Sequence, residues 1–203
     1  MKLACALSMS LAVVGAARAS IVSTSGMCTQ IGAPASALPG SLAAMNAWAW
    51  NEQTGVSLVS MPVDLSTNPS NSNAPVPGAL SGLVDSHFIH LDGMQGMVVG
   101  GTVTFSAPIV AVQYRDTNLD LSDGLATTGT IYPTTLPQRG FNNWTGADFV
   151  DINGNVLTFQ FSTVSPASNL EQVRVFTKVP APGSTALLAV GGLAAVRRRR
   201  VAR

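Results

Sequence analysis

Charge is scarce in this chain: only 10% of its 203 residues are Asp, Glu, Lys or Arg. Histidine occurs twice, at His87 and His90, and cysteine twice, at Cys5 and Cys28. Their spacing supplies no zinc site of the Cys/His kind, which needs four such ligands in paired spacings. On a strand, His87 and His90 would be thrown to opposite faces by their odd spacing, which spoils them as joint metal ligands. Also missing are a Gly-x-Ser-x-Gly elbow, a His-Glu-x-x-His pair and a Gly/Lys loop for phosphate. Each absence removes a class of enzyme: esterase-like hydrolases, zinc proteases and nucleotide-dependent transferases. The body of the chain shows no amphipathic helical period, which argues against a helical or α/β fold.

The little charge present is unevenly placed. The formal net charge is +1, yet between Ser20 and Lys178 four basic residues (Arg115, Arg139, Arg174, Lys178) face ten acidic ones, a net of −6. An acidic body argues against nucleic acid as a partner, because phosphate contacts need clustered Lys and Arg. The excess positive charge sits at the two ends.

The chain begins MKLACALSMSLAVVGAARAS. Lys2 opens it, Leu3–Ala17 is mostly apolar, and Ala17-Arg18-Ala19 is the small-x-small pattern that signal peptidase accepts. The expectation is an N-terminal signal helix over residues 1–19, with the mature chain starting at Ser20. Cleavage there would remove Cys5 and leave Cys28 alone, so no internal disulfide would form. The far end reads VPAPGSTALLAVGGLAAVRRRRVAR, residues 179–203. Pro180 and Pro182 stop a strand and Gly183 frees a turn. The apolar run Ser184–Val196 has 13 residues and would rise about 20 Å as a helix, short of a hydrocarbon core about 30 Å thick. Arg197, Arg198, Arg199 and Arg200 resist crossing a membrane, so they would stay cytoplasmic with the rest of the chain outside.

A Val-Pro-x-Pro-Gly motif, a short hydrophobic helix and a terminal Arg cluster together resemble the PEP-CTERM sorting signal, also called the ice-binding-protein C-terminal domain. The motif residues are Val179, Pro180, Ala181, Pro182 and Gly183, with Ala181 where the family usually carries Glu. The resemblance covers the tail alone. It implies export by a Gram-negative-type bacterium that makes extracellular polysaccharide, and processing of the tail by an exosortase. The protein would be transiently anchored in the inner membrane through the tail helix and then released to the cell surface or matrix.

Between the ends, residues 20–178 read as one all-β domain. An edge strand is expected near Ser20–Ser25, and two short strands within Met45–Val59, joined at Gln53–Gly55, with Trp48 and Trp50 on one face. Pro62–Gly78 has the composition of a long exposed loop. Further strands are expected at Leu83–Leu91, over Met97–Tyr114 with a break at Ala107-Pro108 and a bulge or turn at Gly100-Gly101, and at Leu170–Lys178. Phe149–Phe161 reads as a hairpin turning at Asn153-Gly154. Short strands at this spacing point to an antiparallel β-sandwich, jelly-roll-like.

Three groups of side chains suggest chemistry. Asp116, Asn118, Asp120 and Asp123 bring hard oxygens into one acidic stretch, the donor type that Ca²⁺ selects, although the EF-hand pattern is not met and a solvated turn explains the same residues. Trp48, Trp50 and Trp144 offer planar faces for stacking on sugar rings, with Asn142, Asn143 and Asp148 to hydrogen-bond to hydroxyls; core packing is the competing account. Asp148 and Asp151 are a carboxylate pair for a hydrolase, but a spacing of three puts them on opposite faces of a strand. The expected function is a non-catalytic structural or adhesive surface protein without a cofactor. A carbohydrate-binding module acting on exopolysaccharide is the alternative and a secreted hydrolase the third reading.

Overall fold

Alternation of apolar and polar residues dictates the framework. In the computed structural model, which describes residues 18–65, 77–125, 127, 129–141, 148–163 and 170–180, the strands are β1 Ile21–Gly26, β2 Cys28–Gln30, β3 Ala47–Asn51, β4 Val56–Val63, β5 Gly78–Asp92, β6 Val98–Phe105, β7 Ile109–Gln113, β8 Phe149–Asn153, β9 Val156–Ser162 and β10 Leu170–Lys178. One helix, α1, covers Asp116–Ser122 and runs into a 3-10 turn at Asp123–Leu125. Residues Arg18–Val179 form a single compact unit. The tail helix expected from sequence falls outside the described residues, as does the signal helix apart from Arg18 and Ala19, which are not helical.

The strands make two sheets, β1-β6-β9-β8 and β2-β3-β5-β10-β7, with β4 also paired to β5. Every pairing between strands is antiparallel except β2 with β3. The fold is therefore an all-β sandwich. Its core holds Val103, Phe105, Leu157, Phe159 and Phe161 from the smaller sheet and Ala49, Ile89, Leu91, Val173 and Val175 from the larger. These residues recur at every second position, so each strand turns one face into the same apolar layer.

Two strands read as joined at Gln53–Gly55 are indeed interrupted there, but the chain does not fold back. β3 pairs with His87–His90 and β4 with Gly78–Val84, so both run along one side of the long β5. Beyond β4, Leu65 exchanges backbone hydrogen bonds with Val112 of β7 at 2.9 and 3.1 Å. This closes β4, β5, β10 and β7 around a second apolar group containing Leu58, Val63, Val84, Ala111 and Phe176. The expected polar loop 62–78 is thus corrected at both ends: Asp64 and Leu65 are buried, and Gly78 already belongs to β5. Residues 66–76 lie outside the described set.

Two smaller expectations also change. Gly100-Gly101 makes no bulge, since β6 pairs with β9 in continuous register through both. Gly101 is instead a close approach to β1: a Cβ there would sit 2.6 Å from the Ser25 carbonyl oxygen. The β8–β9 hairpin forms as read, with its two-residue turn one position later, at Gly154 (φ 63°) and Asn155. The Asn155 side chain then donates to the Phe105 carbonyl at 2.6 Å, tying the turn to the end of β6.

Candidate functional site

On the side away from the sandwich core, the larger sheet carries Trp50, Phe88, Gln172, Arg174 and His90, all without solvent exposure. A bare sheet face would be wet. This one is buried because α1 and the segments around Ala37 and Tyr132 lie over it; Trp50, Phe88, Leu119, Ala37 and Tyr132 form one apolar cluster.

Inside this second layer lies a charged network. Arg174 forks onto Glu52, Nε to Oε2 at 2.8 Å and Nη2 to Oε1 at 3.0 Å, and both side chains are wholly buried. Glu52 also accepts from the Tyr132 hydroxyl at 2.5 Å and from Ser86 Oγ at 2.6 Å. Arg174 Nη1 donates to Ser122 Oγ and to the Leu119 carbonyl, two groups of α1. Its guanidinium carbon stands 4.8 Å from the Phe88 ring centre and 5.2 Å from that of Tyr132. Burial opposes the Arg174 charge, but the field of Glu52 and the hydrogen bond to it outweigh burial and leave the guanidinium more basic than usual. Burial, reinforced by Glu52, holds the Tyr132 phenol well above its ordinary range.

Arg139, also wholly buried, extends the network. Its Nη1 donates to Asp120 at 2.8 Å and to Asp123 at 2.7 Å, while Nε donates to Gln172 Oε1 at 2.8 Å. That last bond orients the Gln172 amide, whose NH₂ then faces His90 Nδ1 at 2.9 Å. His90 Nδ1 must accept, so its proton sits on Nε2, a buried atom with no hydrogen-bond partner among the described residues. Burial, and then Arg139, pull the His90 pKa down to about 3, so the ring is neutral. Two guanidiniums are matched by Glu52, Asp123 and Asp120, and what they accomplish is to fasten the helical segment to the sheet.

No family model, curated protein or solved structure matches this chain. Function must be read from the residues alone.

The acidic stretch is corrected. Asp116–Ser122 is a helix, not a loop, and Asp116, Asp120 and the following Asp123 all accept hydrogen bonds from the protein. Asp116 accepts from the backbone N–H groups of Gln138, at 2.5 Å, and Gly140, at 2.9 Å. Asn118 donates to Asp64 at 2.6 Å, and Asp120 and Asp123 hold Arg139. Among the described residues no three His, Cys, Asp or Glu side chains gather as metal ligands. Of the sugar-stacking candidates, Trp50 takes the core-packing alternative. Trp48 and Trp50 do share a face, but Trp50 is completely buried, its ring 5.1 Å from Phe88, and it donates to Tyr132 at 3.3 Å. Trp48 is half-buried and donates to the Leu42 carbonyl at 2.9 Å. Trp144, Asn142 and Asn143 lie outside the described residues.

His87 and His90 do take opposite faces: His87 points into the sandwich core, 4.7 Å from the Phe105 ring centre, and burial lowers its pKa to about 3. Asp148 and Asp151 separate likewise. Asp148 is buried at the start of β8 and accepts from the Ser162 N–H at 2.6 Å, whereas Asp151 is half-buried on the outer face. Glu171 of β10, which sequence reasoning passed over, is the more unusual acid. It is fully buried, neither carboxylate oxygen has a hydrogen-bond partner among the described residues, and burial followed by Asp148 and Asp116 raises its pKa well above its ordinary value. Cys28 is buried, and burial pushes its thiol up to about 12, so it is an inert core residue. Of the end motifs, Ala19, Ser20, Val179 and Pro180 are described; Ala17, Ala181, Pro182, Gly183 and Arg197–Arg200 are not. Glu52, Tyr132, Arg139 and Arg174 were missed as a group because nothing local in the sequence marks a buried ion pair.

Proposed function

We propose that this chain is an exported bacterial protein of the cell surface or extracellular matrix, carried there by a signal segment and a PEP-CTERM-like tail, with a structural or adhesive sandwich that performs no catalysis. The carrying observation is where the two ends of the body lie. The Ser20 N–H donates to Ser106 Oγ at 2.9 Å, and the Lys178 N–H donates to the Pro108 carbonyl at 2.9 Å, so both ends leave beside one short connection, Ser106–Pro108. The signal-like start and the Pro-x-Pro turn follow directly on those two points. A body held at one end presents the opposite one, built from the Asp92–Met97 turn and the start of β2. Signal peptidase and an exosortase-like enzyme are the implied partners, with the membrane engaged only before processing.

The test is export in a polysaccharide-producing Gram-negative host. Wild-type chain is expected in the surface and medium fractions. A variant with Arg197, Arg198, Arg199 and Arg200 all changed to Ala should lose membrane retention and tail processing. Identical distribution of the two in the cytosol would defeat the proposal.

A second reading, binding of a neutral polysaccharide, is favoured by the outer face of the smaller sheet. Register aligns Ser25, Thr102, Thr158 and Asp151 in one row and Ser23, Thr104, Val156 and Asn153 in the next. Ser25 and Thr102 hydroxyls meet at 2.6 Å. This face, rather than the tryptophans, offers hydroxyl and amide groups on neighbouring strands about 4.8 Å apart. Affinity electrophoresis through gels containing the host polysaccharide tests it: retardation that is lost in Thr102→Val with Thr158→Val supports binding, and no retardation opposes it.

A further inference from the structure

Asp85 is wholly buried and accepts two backbone N–H groups, from Ala19 at 2.5 Å and from Gly55 at 2.6 Å. Among the described residues it has no ion-pair partner. His87, on the same face of β5, is neutral and engaged with Asn51 at 2.8 Å and Thr177 at 2.9 Å. Arg18 and Lys178 are both exposed. A buried carboxylate without a counter-charge is costly, and evolution of a fold ordinarily removes it or supplies a cation. Here the two donors are uncharged, and one of them belongs to the residue just before the expected cleavage point.

We infer that Asp85 is the receptor for the processed N terminus: cleavage between Ala19 and Ser20 creates an ammonium that takes the place of the Ala19 amide beside this carboxylate. The inference rests on the export reading, since signal peptidase must make the cut. Water adds across the Ala19–Ser20 amide; Ala19 departs with the new carboxylate, and the Ser20 nitrogen takes up a proton. Ser20 stands one peptide unit from Ala19, about 3.8 Å between Cα atoms. Ala19 itself is only 2% exposed, so its departure vacates packed space next to Asp85. The chain after it is already held in position. Ser20 N–H donates to Ser106 Oγ, Ser106 N–H returns to the Ser20 carbonyl at 2.9 Å, and Ile21 N–H donates to Asn51 Oδ1 at 3.0 Å. An ammonium has three protons, so Ser20 can keep Ser106 and add Asp85. Processing would thereby convert an uncompensated buried charge into a buried pair, making the mature body more stable than its precursor.

From Ser20 onward the chain has a single lysine, Lys178, so a mature chain starting at Ser20 carries two amines, and Lys178 serves as an exposed internal control. The exported protein is recovered from its host, its first residue is established by mass spectrometry, and it is treated with limiting acetic anhydride, folded and in urea. The Ser20 amine is expected to acetylate at least about tenfold more slowly in the folded protein, the loss of free amine for each unit by which an ion pair raises its pKa, while Lys178 reacts alike in both. Asp85→Asn should abolish that protection; if this variant does not fold, the comparison of folded and urea-treated wild type stands alone. A Ser20 amine that reacts equally in both states overturns the inference and leaves export intact. An exported chain that starts elsewhere overturns it too, and an uncut chain in the cytosol overturns the export reading with it.

Discussion

Arg174 and Glu52 are 122 residues apart in the chain and meet as a two-pronged ion pair from which water is excluded. Removing Arg174 leaves Glu52 buried with only the neutral Tyr132 and Ser86 hydroxyls, and removing Glu52 leaves Arg174 with only the longer 3.5 Å contact to Asp123 for its charge. Arg174→Ala should therefore cost about 3–5 kcal/mol, and Arg174→Lys should recover little, because an ammonium cannot reproduce the fork. Urea unfolding followed by far-UV circular dichroism reads both.

Arg139→Ala provides a graded comparison. Its partners Asp120 and Asp123 keep 26% and 11% side-chain exposure and can be rehydrated. The loss should be smaller, about 1–3 kcal/mol, and protease cleavage should become faster near α1, which loses its tie to Gln172 and the sheet. Equal destabilisation by Arg139→Ala and Arg174→Ala would mean that exposure of the acid does not matter here.

Gly140 tests backbone proximity rather than charge. A Cβ there would fall 1.9 Å from the Tyr114 carbonyl oxygen, an impossible contact without movement of the chain that brings Phe141 onto Tyr114, whose rings stack at 4.5 Å. Gly140→Ala should destabilise by more than about 3 kcal/mol, while Gly154→Ala, with open space around it but a positive φ of 63°, should cost about 1 kcal/mol. Thermal melts of the two variants side by side give the order.

Stability should respond to pH from both sides. His87 and His90 have pKa values lowered to about 3 by burial, against about 6.5 unfolded, so the native state binds fewer protons and loses stability as pH falls from about 6.5 toward 3. Glu171 works in the opposite sense. Its pKa is raised, so the native state holds a proton that the unfolded chain releases above about 4.3, and stability falls as pH rises from there. Glu171→Gln should gain on wild type as pH rises above about 4.3, and His90→Gln should flatten the acid side. Urea midpoints at several pH values check both slopes.

The sandwich was legible in the sequence for a simple reason. Val103 and Phe105, or Leu157, Phe159 and Phe161, announce a buried face by their period of two, and Gly154 marks the hairpin turn. Helix α1 was not legible. Its seven residues include three of the Asp/Asn type, which favour loops locally. What makes them helical is distant: Asp64 accepts from the N–H groups of Tyr114 and Arg115, at 2.7 and 2.8 Å, and from the Asn118 amide, while Arg139 and Arg174 hold the other end. The same blindness hid the second buried layer. Core packing was open for Trp50 beside stacking, but nothing near it in sequence tells that Tyr132 and α1 will be what covers it. The carboxylate oxygens of Asp116, Asp120 and Asp123 looked free for a cation because their true partners, at 138–140, come from another part of the chain.

The sandwich is expected to leave the cell with its two end segments processed. Intact-mass analysis of the protein recovered from the surface fraction asks this directly. A chain that starts at Ser20 and ends within or near Val179–Gly183 is the predicted result; an unshortened Met1–Arg203 polypeptide confined to the cytosol would contradict it.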